Sequence, residues 1–485
     1  MHFLQTDRLS RRAFLRRSSR LALAGTAMPF ALNLAAIGEA AAFDATDYKA
    51  LVCIFLYGGN DYGNTVVTYD DVSYDAYSKI RGGGANRAAG GIALAQADLK
   101  NTLLTPTAAL AGGRQYALHP QMTGLAGLFN SGQAAVQLNV GPLIAPLTRD
   151  QYNSSNRTTY PRPANLFSHN DQQSTWQSSS PEGSTIGWGG HIGDLALSSN
   201  STSLFTCISV AGNAVFLSGD RALQYQIGTD AAVKINAVNG SVYGSNAVRD
   251  ALRNITQATS SHRLENEYNA ITRRSIDSEG KMTAALNLYP ASAQAFSSFT
   301  GTDNLSAQLR MVARIIAGRN DLGSKRQVFF VSLGGFDTHD GLLAQHTRLL
   351  GNLSMAMTSF YNATKALGVD KQVTAFTASD FGRTLSSNGD GTDHGWGSHH
   401  LMVGGAVNGA AFYGAAPPVS VTNTSAPEDQ WHVGQGRLLP STAVDQYAAT
   451  LASWFGVADS ELAGILPNLR NFGGVGYPRN LGFMA

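Results

Sequence analysis

Acids and histidines in this sequence collect at four short, glycine-bearing segments. Asp61 closes Gly58-Gly59-Asn60-Asp61, and Asp337 and His339 stand in Gly334-Gly335-Phe336-Asp337-Thr338-His339-Asp340. Asp380 and Arg383 share Ser379-Asp380-Phe381-Gly382-Arg383-Thr384, while His394, His399 and His400 lie in Asp393-His394-Gly395-Trp396-Gly397-Ser398-His399-His400. Five of the eleven histidines fall between His339 and His400 in a chain with only 14% charged residues, so the concentration is selective. Carboxylate and imidazole together suit a divalent metal such as Zn, Mn, Mg or Ca. Two such ions could hold a phosphoryl or sulfuryl group and generate a hydroxide or alkoxide nucleophile. Each residue also has a structural alternative. Asp61 could cap the next helix, Asp337 and His339 could form a turn ahead of one, and Asp380 could pair with Arg383. Arg383 could instead clamp an oxyanion bidentately. The three late histidines cannot all be direct ligands.

The elements around these segments decide whether they meet. Leu51–Tyr57, Ala134–Val140, Leu204–Val210, Val328–Leu333 and Val373–Thr377 are continuous apolar or β-branched runs, the pattern of parallel strands covered on both faces. Between the last two, Leu342–Leu367 carries a helical apolar stripe that Gly368 ends, so 328–377 reads as a strand–helix–strand crossover. Parallel strands with helical crossovers predict an α/β sandwich, and everything that follows a strand then emerges at one carboxyl edge, where ligands bind. Asp61, Asp337, His339 and Asp380 are therefore expected to converge. The segment 81–91 reads as a flexible loop. The polar segment 148–190 is long enough to be a lid; its His169 and Asp171 could close over the same edge or form a surface turn. The charged segment 246–319 reads as a helical excursion.

The N-terminal segment is of another kind. Ser10-Arg11-Arg12-Ala13-Phe14-Leu15 resembles a twin-arginine export signal, followed by a weakly apolar run with Gly25 and Pro29 and by Ala40-Ala41-Ala42, small residues that a signal peptidase accepts. Residues 1–42 are expected to engage the Tat translocase and then be cleaved, leaving residues 43–485 in the periplasm or outside the cell; a membrane anchor is the alternative. Six arginines, Asp7 and Glu39 leave with the signal, which turns the chain's net +2 into −2, so no nucleic-acid partner is expected. No later apolar run approaches ~18 residues, so no stable membrane span is expected. Cys53 and Cys207, each inside an apolar run, read as buried small hydrophobes.

The segments GGNDYGNTVV, SHNDQQSTW, GGFDTHDGLLAQH, SDFGRT and DHGWGSHHLMVGGAVNG, with the twin-arginine leader, together resemble the bacterial family called domain of unknown function 1501, DUF1501. The resemblance runs from about Ala50 to the C-terminus. That family is similar to a distant branch of the alkaline phosphatase and sulfatase superfamily. The resemblance implies a three-layer α/β/α sandwich with a mostly parallel central sheet, alkaline-phosphatase-like, binding one or two metals at the carboxyl edge. It places metal ligands at Asp61, Asp337, His339, Asp380 and one of His394, His399 or His400. Where the superfamily has Asp-His, Asp380 is followed by Phe381, which removes one ligand of a second site. The expected nucleophile has no clear counterpart; Thr65 is the hydroxyl close to Asp61, and Ser168 stands without a supporting motif. The implied activity is metal-dependent hydrolysis of a phosphate or sulfate ester, on a small or polymeric substrate, with Thr65 or a water attacking. The alternative is a non-catalytic exported binding protein with a degenerate metal site. Neither G-x-S-x-G nor H-E-x-x-H occurs, which argues against a serine hydrolase or a zinc protease.

Overall fold

Residues 45–485 are described by the computed structural model; the twin-arginine segment lies outside the described residues. The run KALVCIFL forms β1 (Lys49–Leu56), buried almost throughout. The other strands are β2 (Val66–Thr68), β3 (Tyr116–Leu118), β4 (Ala134–Gly141), β5 (Cys207–Ser209), β6 (Gln224–Gln226), β7 (Arg326–Leu333), β8 (Val373–Ser379), β9 (Ser398–Val403), β10 (Ala411–Tyr413) and β11 (Thr442–Ala443). β2 and β3 make a small antiparallel pair, and the rest form one nine-stranded sheet ordered β10-β4-β9-β8-β1-β7-β5-β6, with β11 beside β4. Pairing is parallel everywhere in this sheet except at β9, which runs antiparallel to both β4 and β8.

Side chains alternate across a strand, so a sheet covered on both faces needs apolar residues at every position. Ala50, Val52, Ile54 and Leu56 face the cluster built with the helices Thr123–Asn130, Asn304–Ala317 and Leu342–Ala366. The opposite register carries Phe55, Phe330 and Phe376 toward Phe216, Trp188 and Tyr447, on the side of helices Trp188–Ala196 and Val444–Phe455. The result is an α/β sandwich with a mostly parallel central sheet, as the strand pattern predicts. Cys53 and Cys207 are free thiols buried within it.

Three expectations shift in detail. The run Leu204–Val210 yields only the three residues of β5, because Ser203–Phe205 turns as a 3₁₀ helix. The polar segment 148–190 is not a plain loop: it contains the helices Arg149–Asn153 and His169–Ser178 and the start of Trp188–Ala196. The excursion 246–319 divides, since Asn304–Ala317 is a core helix while Asn246–Gln257 buries none of its residues. No helix among the described residues is long and apolar enough to cross a membrane.

Phe376, 1% exposed, joins β8 to Trp188 and Tyr447. Phe376→Ala is expected to cost about 3–5 kcal/mol by denaturant unfolding, the usual result of emptying an aromatic core position. A cost under ~1 kcal/mol would mean that this helix layer is not packed on the sheet.

Candidate metal centre

The carboxyl ends of β1, β7 and β8 deliver Gly58–Asp61, Gly334–Asp340 and Asp380–Thr384 to one edge. Because β9 is reversed, the residues before it also start from that edge, which brings His394 into the same place. Backbone pairing then locks the segments together. Arg383 and His394 form an antiparallel bridge, with Gly395 donating to Gly382 and Thr384 to Asp393. Gly58 and Gly59 both have positive φ, at 114° and 87°. A Cβ on Gly58 would overlap the Asp337 amide, and one on Gly59 would overlap the Phe381 ring. Only glycine allows the three loops to nest this closely.

Four side chains converge there. His169 Nε2 lies 3.3 Å from Asp337 Oδ2, and His339 Nε2 and His394 Nε2 lie 3.1 and 3.2 Å from Asp337 Oδ1. The Nε2 atoms of His339 and His394 are 3.0 Å apart. The outer nitrogens are turned toward oxygens. His394 Nδ1 sits 2.8 Å from the Phe167 carbonyl oxygen, His169 Nδ1 2.7 Å from Asp380 Oδ2, and His339 Nδ1 3.4 Å from Asp393 Oδ1. A carbonyl oxygen can only accept, so the His394 proton is on Nδ1 and its Nε2 carries a lone pair. With the same tautomer at His169, two nitrogen lone pairs and the Asp337 carboxylate face one another. Such mutually repelling lone pairs are stable around a cation. The ligand atoms of His169, Asp337 and His394 all lie within 4.8 Å of one another, close enough to hold one ion jointly, and His339 stands beside them. The residues therefore fit a divalent metal.

The surroundings support the cluster electrostatically. Burial raises the Asp337 carboxyl, but the Arg383 hydrogen bond and charge, with His169 and His339, hold it below the usual carboxylate range. The hydrogen bond to Asp380 raises His169, while burial lowers His394. Asp380 is wholly buried and accepts from His169, Gln173 and the Gly58 amide through Oδ2. It orients His169 and is not itself in the converging set. The Phe381 ring packs on His169 and His394, with centroids 4.9 and 4.7 Å away. Phe381, which follows Asp380, thus supports two of the imidazoles. Asp337 and His339 remain 42% and 45% exposed, so the centre is open to solvent on one side.

Other expected site residues lie elsewhere or act differently. Asp61 caps the helix Tyr62–Thr65 and is bound through both oxygens, at 2.6 and 2.7 Å, by the buried Arg81. Burial raises its carboxyl, and the Arg81 charge overrides that to leave it lowered. Such a carboxylate is already neutralised and unavailable to a metal. Thr65 is buried, and its hydroxyl donates to Asn60 Oδ1 and the Asp61 carbonyl. Arg383 does not clamp a substrate oxyanion: its guanidinium is buried and binds Asp337, the Gly58 carbonyl, and the hydroxyl and carbonyl of Thr392. His399 and His400 fall inside β9 and point to opposite faces. His399 Nδ1 accepts from the Asn139 amide, beside the register shift in β4, while His400 Nδ1 meets Thr377 and its ring packs on Trp176. Burial pushes both down to about 3. They are core residues. Gln173 lies within SHNDQQSTW, but nothing in that segment marks it as a partner of Asp380, and the Phe167 carbonyl just before the segment carries no side-chain signal.

Removing Arg81 leaves Asp61 charged and buried. Arg81→Met is expected to cost about 3–5 kcal/mol, with much of the loss recovered on adding Asp61→Asn. Metal content should be unchanged in the double variant; its disappearance would return Asp61 to the ligand set.

No curated protein matches this sequence significantly. Among solved structures, the chain is similar to one described as Ps i-CgsB in complex with k-i-k-neocarrahexaose, at 7% identity over 88% of this chain and 77% of that one, with a TM-score of 0.35. A family model described as "Protein of unknown function (DUF1501)" matches residues 48–461. The match spans the sheet and every segment of the candidate centre, and the chain belongs to the DUF1501 family.

Proposed function

We propose that this protein is an exported, single-metal hydrolase of a phosphate or sulfate ester. The observation that carries the reading is the convergence of the Nε2 atoms of His169, His339 and His394 on the Asp337 carboxylate, with Nδ1 of each turned toward an oxygen. Two imidazoles and one carboxylate, from His169, His394 and Asp337, favour zinc or manganese over magnesium or calcium, which prefer all-oxygen surroundings. Such an ion supplies Lewis-acid polarisation of a bound ester oxygen. The chain's own groups do the rest. Asp380 holds His169 in its tautomer, Arg383 keeps Asp337 ionised, and Phe381 walls off one side of the imidazoles from water. His339, the most exposed of the three and beside Asp393, is placed to exchange a proton with a substrate or a water. Asp61, committed to Arg81, leaves ligands for one ion at this edge of the sheet.

A second reading has one observation in its favour. The Thr65 hydroxyl, the nucleophile expected from the sequence, is buried and engaged, as suits a protein that binds a metal and a ligand without turnover.

The purified protein is expected to hold about one zinc or manganese per chain and to hydrolyse generic phosphate or sulfate esters. Asp337→Ala and His394→Ala should lose both metal and turnover, and Asp380→Asn should weaken metal binding about 10- to 100-fold. Retained metal without turnover supports the second reading; turnover unchanged in Asp337→Ala rejects the site. Export is tested separately. Replacing Arg11 and Arg12 with lysine should hold the chain in the cytoplasm, and unimpaired export of that variant would reject the twin-arginine route.

A further inference from the structure

Beside the histidine cluster lies a cleft of about 260 Å³, reached from His169 along its own helix. Asn170, Gln173 and Gln177 of that helix line one wall, Tyr57 follows β1 on the floor, and Ser184 and Asn213 close the rest. Gln173 belongs to both places, since its amide nitrogen donates to Asp380, the residue that holds His169. The volume is just under the roughly 300–1,000 Å³ of ordinary small-molecule pockets, so it suits one ring-sized group.

The lining chemistry narrows the occupant. No lysine or arginine lines the cleft, and its one charged group is the carboxylate of Glu182. A phosphate or sulfate, which only accepts, has no cation to meet there. A hydroxyl both donates and accepts, and the cleft offers both. Asn213 has its oxygen occupied by Gln224 and Gln226, which leaves its nitrogen to donate. The Gln177 oxygen is likewise taken by the Phe216 amide, while Asn170 donates its nitrogen to one Glu182 oxygen, which leaves the Asn170 oxygen and the other Glu182 oxygen to accept. The Tyr57 ring, packed against Phe55, supplies an apolar face of the kind that the C–H side of a sugar needs.

We infer that this cleft binds a neutral polyhydroxylated group, a single sugar unit, and so presents its ester to the histidine cluster. The part concerning the ester rests on the hydrolase reading; the binding of the sugar does not.

The test is saturation-transfer NMR of the purified protein with glucose, galactose, mannose and N-acetylglucosamine, before and after chelation of metal. At least one sugar should bind in both states. Binding should weaken about tenfold in the combined Asn170→Ala and Asn213→Ala variant, as expected for the loss of one or two hydrogen bonds. Absence of signal from every sugar, equal binding by the variant, or a signal displaced by inorganic sulfate or phosphate at equal concentration overturns the inference. Sugar binding without ester turnover leaves the cleft standing and removes the hydrolase; ester turnover without sugar binding does the reverse.

Discussion

The buried guanidinium of Arg383 ties together three of the loops that make the centre. It reaches the Gly58 carbonyl after β1, Asp337 after β7, and Thr392 ahead of β9, from its own position after β8. Taking such a charge out of water costs several kcal/mol unless every direction is met. Here a carboxylate and three neutral oxygens meet it, and all three nitrogens are engaged. The four loops hold one geometry because the ion at their hub tolerates no other.

That constraint explains the division of labour among the acids. Asp337 meets Arg383, His339 and His394 through Oδ1 and His169 through Oδ2, so it stays ionised while remaining accessible. Asp380, just past the end of β8, is sealed and orients His169. Asp61 is matched to Arg81 and sets the loop that follows β1. Three carboxylates at the ends of three parallel strands thus do three different things, and only the one left half-exposed is available to a metal.

Much of this could be read in the chain beforehand. Apolar runs that become β1, β4, β7 and β8 are buried on both faces, so hydrophobicity alone marks them. The gathering of Asp337, His339, Asp380 and Arg383 follows from strand polarity, as does the meeting with His394 once β9 is seen to run backwards. That reversal is what composition conceals: nothing in Ser398–Val403 says which way it points, and the direction decides that His394 is at the edge while His399 and His400 are core. The Asp61–Arg81 pair is equally hidden, because Arg81 lies in what reads as a flexible glycine loop. His169 sits in a polar stretch whose helical turn is weakly patterned, and its role emerges only from Asp380 and Asp337 on either side of it.

The position of β1 has a consequence for how the molecule is made. It leads the described chain, yet Lys49 pairs with Arg326 on one side and Ala50 with Val373 on the other. Its neighbours are therefore synthesised hundreds of residues later, and the long loop that joins them must close before either pairing is gained. Throughout translation the central strand waits with both edges bare, which exposes the nascent chain to aggregation until its last third has emerged. The middle of the sheet is then completed late in synthesis, and a chain cut short before residue 379 leaves it incomplete.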